Sequence, residues 1–146
     1  MTQRTVYQSM PRRLLVSLPP SASVHEAACV MTRANCGSVL VVGAGTQLLG
    51  IVTERDLMTR VVAKAVDPSK TTLASVMTPN PRCIGPNTKV EDAVLIMLER
   101  GFRHLPVVGD GNTLLGVFSA RDAMPREIGA AVSLAEFNEQ VNDSLG

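Results

Sequence analysis

Thr53 and Asp56, and again Ser119 and Asp122, set a hydroxyl and a carboxylate three residues apart at the end of an apolar run: GIVTERDL covers residues 50–57 and GVFSARDA residues 116–123. Where a strand ends and a helix begins, the hydroxyl and the first unpaired backbone N–H groups point past the sheet edge, and both they and the helix dipole favour an anion. The aspartate follows one helical turn on, on the same side. A carboxylate accepting from two vicinal hydroxyls is a ribose contact, and a hydroxyl beside N–H groups is a phosphate contact; together they fit a nucleotide. The same spacing is equally that of a capping box, which closes a helix start with no ligand at all.

The elements that must hold these residues occur twice. Residues 20–57 slide onto residues 86–123 by an offset of 66 without a gap, and 13 of the 38 positions are identical, among them Val24/Val90, Ala27/Ala93, Met31/Met97, Gly50/Gly116, Arg55/Arg121 and Asp56/Asp122. This is an internal duplication. In each copy a short strand, residues 14–18 or 82–84, precedes a Pro-bearing loop and a helix. The helix carries Val24, Ala27, Ala28 and Met31, or Val90, Ala93, Val94 and Met97, the spacing of one amphipathic face. Ser23 is placed to cap the first helix, with Glu26 at capping-box spacing. Two strands follow, joined by a turn in which Gly43 and Gly45, or Gly109 and Gly111, offer positive-φ positions.

The helix opened by Thr53 is expected to run through Leu57, Val61 and Ala65 to Asp67-Pro68; that opened by Ser119 meets Pro125 after one turn. The pattern predicts an α+β fold of strand-helix-strand-strand-helix repeats packed about a pseudo-twofold axis. It divides into an N-terminal arm (1–13), a first repeat (14–66), a linker (67–81), a second repeat (82–124) and a helical tail (125–146), placed to pack on a partner chain.

Composition narrows the function. The 146 residues are 45% hydrophobic, 3% aromatic and 18% charged, against about a quarter charged in a usual soluble domain. Apolar helix positions such as Leu57, Met58, Val61, Val62, Val94 and Met97 exceed what one small core takes, so a homodimer is expected. A net charge of +1 gives no basic field for nucleic acid. Residues 12–18 imitate a signal peptide, but the apolar run stops after five residues at Pro19-Pro20; with no run long enough to span a membrane, a cytoplasmic protein without membrane insertion is expected. Cys29, Cys36 and Cys83 have no paired spacing, so neither a disulfide framework nor a metal site is indicated, and they read as small buried hydrophobes. His25 has an exposed helical phase and no assigned role.

The doubled G-h-h-[ST]-x-x-D, closing a repeat of some sixty residues, with RHLPVV at residues 103–108, resembles the cystathionine-β-synthase (CBS) domain pair over residues 14–124. The resemblance implies a regulatory module that binds adenosine-containing ligands: AMP, ADP or ATP, or alternatively S-adenosylmethionine or NAD. It also implies composite clefts. One would join Thr53, Arg55 and Asp56 to Ile84, Arg103 and His104; the other would join Ser119, Arg121 and Asp122 to Leu18, Gly37 and Ser38. Arg103-His104 is matched by Gly37-Ser38, so only the first cleft would gain cationic or donor groups for a phosphate. Arg103 would serve equally in a surface ion pair, and His104 in satisfying a buried carbonyl.

Catalysis needs a nucleophile with a base, a carboxylate pair or a metal cluster in one place. Two histidines, unpaired cysteines and aspartates assigned to separate clefts supply none of these, so no enzyme and no obligatory cofactor are expected. A scaffold with empty clefts is the further alternative. With no effector domain in these residues, output would pass to a partner protein on another chain.

Overall fold

The computed structural model describes residues 3–10 and 15–145. In chain order the elements are α1 (Val6–Ser9), β1 (Ser17–Leu18), α2 (Val24–Ala34), β2 (Ser38–Val42), β3 (Leu48–Thr53), α3 (Glu54–Asp56), α4 (Leu73–Val76), β4 (Thr78–Pro79), α5 (Val90–Arg100), β5 (His104–Val108), β6 (Leu114–Ser119) and α6 (Pro125–Leu145). Helices and sheets mix as an α+β fold. The described residues form two compact units: 15–82 with 111–114, and 3–10 with 83–110 and 115–145.

The unit of the first repeat is a four-stranded sheet in the order β1-β2-β3-β4. β1 runs parallel to β2, with Leu18 opposite Val41, and β2 runs antiparallel to β3, with Ser38 opposite Thr53. Val39, Val41 and Val52 meet Val24, Ala27 and Met31 of α2 in a core from which water is almost wholly removed. Burying each such aliphatic side chain is worth about 1.5–3 kcal/mol. Ser23 Oγ accepts the Glu26 N–H (3.1 Å), the expected cap, and α2 ends at Asn35 in the left-handed region (φ 52°).

Residues 67–81 are more than a linker. They hold α4, whose Leu73 and Val76 enter the same core, and β4, which pairs with β3 at Gly50 and Ile51. The helix begun at Thr53 continues from α3 as a π-helical turn, Leu57–Val62, and does not reach Ala65, which has φ 55°. Of the apolar positions on this stretch Val61 is buried, whereas Met58 and Val62 are exposed.

In the unit of the second repeat β5 pairs with β6. The strand expected at residues 82–84 shrinks to one parallel bridge between Ile84 and Val107, the counterpart at offset 66 of Leu18 and Val41. Val90, Ala93, Val94 and Met97 of α5 pack with Leu105, Val107 and Phe118, and Ala131 of α6 joins them. Pro125 begins α6 instead of merely breaking a helix, in keeping with its tolerance in a first turn.

Residues 3–10 of the N-terminal arm belong to this unit, and they do there what residues 71–77 do in the other. Val6 N–H donates to Thr88 O (2.7 Å) as Leu73 N–H does to Ala22 O (2.9 Å); Tyr7 N–H donates to Pro86 O as Ala74 N–H does to Pro20 O. Val90 N–H donates to Arg4 O as Val24 N–H does to Thr71 O, and the bridge Thr5–Lys89 matches Thr72–Ser23. The duplication is therefore longer than residues 20–57 and 86–123, with each copy's leading short helix included. Of the turn glycines, Gly45 (φ 70°) and Gly111 (φ 66°) take positive φ, whereas Gly43 does not (φ −91°). Leu14, the expected start of β1, and the basic pair Arg12-Arg13 lie outside the described residues.

Candidate functional site

At the end of β3 the chain leaves the sheet with Thr53 extended (φ −114°) and turns into α3. Asp56 Oδ2 accepts both the Thr53 N–H (2.9 Å) and the Thr53 hydroxyl (3.1 Å), and Thr53 Oγ1 accepts the Asp56 N–H (3.3 Å). Asp56 Oδ1 lies 3.5 Å from Nε of Arg60, whose Nη1 also donates to the carbonyl of Val76 at the end of α4 (3.0 Å). Arg55 is exposed.

The second turn repeats the geometry. Asp122 Oδ2 accepts the Ser119 N–H (3.0 Å), and Ser119 Oγ accepts the Arg121 N–H (3.3 Å). Each turn is fastened to the start of its neighbouring strand: Glu54 N–H donates to Gly37 O and Ala120 N–H to Arg103 O, both at 3.0 Å. Thr53 thus lies beside Gly37 and Ser38, and Ser119 beside Arg103 and His104. The capping-box reading of the motif is realised in both copies. The N–H groups of Thr53 and Ser119 are taken by their own aspartates, so a ligand must compete for them.

Of the candidate residues the first unit holds Leu18, Gly37, Ser38, Thr53, Arg55 and Asp56, and the second holds Ile84, Arg103, His104, Ser119, Arg121 and Asp122. Arg103 is exposed and, with Leu98, Phe102, Ala120 and Ile128, lines a cavity of about 380 Å³ beside α5 and α6. Ile84 is buried and His104 half-buried.

Three charged residues near the turns were not expected: Arg60, Arg4 and Glu127. Arg60 was open to inference, since it stands four residues after Asp56. Arg4 was not, being 123 residues from its partner. Its Nε and Nη2 donate to Glu127 Oε2 (3.0 Å) and Oε1 (2.7 Å), and Nη2 also donates to the carbonyl of Asp122 (3.0 Å). Glu127 is buried, and its Oε1 accepts the Met124 N–H as well. Hydrogen bonding from Arg4 holds the Glu127 carboxyl below its ordinary range against the opposing effect of burial, and raises the guanidinium of Arg4 in turn.

Among the described residues no cluster of three or more His, Cys, Asp or Glu could hold a metal, and no helix is long and apolar enough to cross a membrane. Cys29 corrects the expectation of a buried thiol: it is exposed, whereas Cys36 and Cys83 are partly buried.

The CBS domain family model matches residues 8–63 and 73–126, so this chain belongs to the CBS domain family and is a tandem pair, a regulatory module. Proteins made only of such domains are generally regulatory and not enzymes. The chain is 42% identical over 101 residues to the meiotically up-regulated gene 70 protein of Schizosaccharomyces pombe, covering 65% of this chain and 14% of that protein. It is 35% identical over 103 residues to an uncharacterized 17.7 kDa protein of Acidianus ambivalens, covering 70% of this chain and 61% of that one. The chain therefore spans less than two thirds of either relative. A CBS domain protein from Pyrobaculum aerophilum complexed with AMP superposes with a TM-score of 0.77 at 25% identity, over 90% of this chain and 100% of that one. A putative signal-transduction protein with CBS domains from Burkholderia ambifaria gives 0.72 at 31% identity, over 80% and 86%.

Proposed function

We propose that this CBS pair is a cytoplasmic sensor of adenine nucleotides of the AMP, ADP or ATP class and signals to a partner protein. The observation that carries this reading is the recurrence of one hydroxyl-carboxylate turn at the ends of β3 and β6, in a chain similar over 90% of its length to a protein complexed with AMP. Asp56 and Asp122 would accept from ribose hydroxyls, Thr53 and Ser119 would meet phosphate, and Arg103 and His104 would supply charge to it. Arg55, Arg121, Leu18, Ile84, Gly37 and Ser38 would line the ligand. The exchange of a capping bond for a ligand bond at Thr53 and Ser119 costs little, because hydrogen-bond number is conserved.

A thermal-shift panel of AMP, ATP, S-adenosylmethionine and NAD tests this directly. A ligand bound only by the native state adds about 2.7 kcal/mol at a hundredfold excess over its Kd. AMP or ATP should raise the midpoint most. A larger rise with S-adenosylmethionine or NAD would change the ligand class, and no rise with any of the four would favour a scaffold. The exposed Met58, Val62, Leu98 and Phe137 support association of two copies. Sedimentation at tens of micromolar should then give twice the 15.5 kDa of one chain.

A further inference from the structure

α2 carries two donors on the side away from its core stripe. Val24, Ala27 and Met31 face the sheet; His25 and Cys29, four residues apart, face outward and both are exposed. Their side chains converge, with His25 Nε2 3.8 Å from Cys29 Sγ. A tetrahedral zinc ion, with Zn–N of about 2.0–2.1 Å and Zn–S of about 2.3 Å, separates two such donors by about 3.5 Å. The pair is thus within a few tenths of an ångström of chelating distance before any metal arrives.

The helix under it is held at its start by the Ser23 cap and by the bond from His25 N–H to Pro68 O (3.1 Å), which fixes the backbone that carries the two donors. A buried thiol can be read as a small hydrophobe, but Cys29 has no apolar burial to explain it.

We propose that His25 and Cys29 form a two-donor site for a thiophilic divalent cation, with Zn2+ the best match. A thiolate and an imidazole suit borderline and soft ions, whereas Mg2+ and Ca2+ require oxygen donors in number. On binding, the thiol proton passes to solvent and the neutral imidazole coordinates through Nε2. Among the described residues no third His, Cys, Asp or Glu joins the pair, so water fills the other positions and the ion remains exchangeable. The bound ion would clamp one turn of α2 without touching the nucleotide turns.

Cobalt(II) titration of the full chain tests the site, since a thiolate ligand gives a charge-transfer absorption in the near ultraviolet. The band should saturate at one cobalt per chain, be displaced by zinc, and survive the Cys36→Ser/Cys83→Ser double substitution. It should vanish in Cys29→Ser, and His25→Ala should weaken cobalt binding by about tenfold or more, which is 1.4 kcal/mol. Because both positions are exposed, the circular dichroism of these two variants should match the wild type. No band in the wild type at millimolar cobalt, or a band that persists in Cys29→Ser, would overturn the proposal.

Discussion

The amide of Ala120 donates to the carbonyl oxygen of Arg103 across 3.0 Å, tying the residue after Ser119 to the exposed arginine that opens β5. The bond belongs to the backbone, so replacing the Arg103 side chain leaves it in place. Arg103→Ala should fold as the wild type does and lose only what the guanidinium contributes. A charge-assisted contact to phosphate is worth roughly 1.5–3 kcal/mol, or about ten- to a hundredfold in affinity. Calorimetry should show that loss for AMP and almost none for adenosine, which lacks the phosphate. Equal losses would mean that Arg103 shapes the site and does not grip phosphate.

Glu127 and Arg4 make an acid-sensitive clasp between the N-terminal segment and α6. The folded-state pKa of Glu127 is depressed by its Arg4 partner. Its stabilisation is therefore fully present above the unfolded carboxyl range, about 4.3, and is lost as pH falls through the lower folded value. Glu127→Gln should destabilise the chain at neutral pH by about 1.5–3 kcal/mol. Urea midpoints of the two proteins should converge only as the pH falls through the depressed folded-state value, where protonation removes the same charge from the wild type.

Gly50 is a packing glycine. A Cβ there would lie 2.5 Å from Met77 Sδ and 2.8 Å from the carbonyl oxygen of Thr78 in β4. The thioether can turn aside, but the backbone oxygen cannot without parting β3 from β4. Gly50→Ala should cost about 1–3 kcal/mol as overpacking does, read as a lower denaturation midpoint. Gly85→Ala, at a position with open space, is the control and should change little.

The repeat and its helices were legible because Val24, Ala27 and Met31 recur at Val90, Ala93 and Met97, and a buried stripe leaves its period in the sequence. The arm and the linker were not. Thr5–Met10 and Thr72–Met77 bury only Val6, and Leu73 with Val76, besides their backbone bonds; one or two apolar residues show no period, and the segments stand 67 residues apart, one off the register of the rest. The turn at Thr53 was visible as a spacing, yet spacing alone does not separate a capping box from a ligand contact; the structure shows the cap in place. Arg4 and Glu127 meet only after the fold brings the chain's two ends together, so no local pattern announces them.

Whether the paired turns recognise an adenine nucleotide is tested most directly by titration calorimetry with AMP against wild type, Asp56→Ala, Asp122→Ala and the double variant. Each substitution removes a capping acceptor at a cost of about 1 kcal/mol, so circular dichroism must first show each variant folded. Wild type should bind AMP, the double variant should not, and the single variant with the larger loss identifies the repeat whose aspartate holds the tighter ligand. Wild-type protein that gives no heat at millimolar AMP, or a folded double variant that binds as the wild type does, would contradict the account.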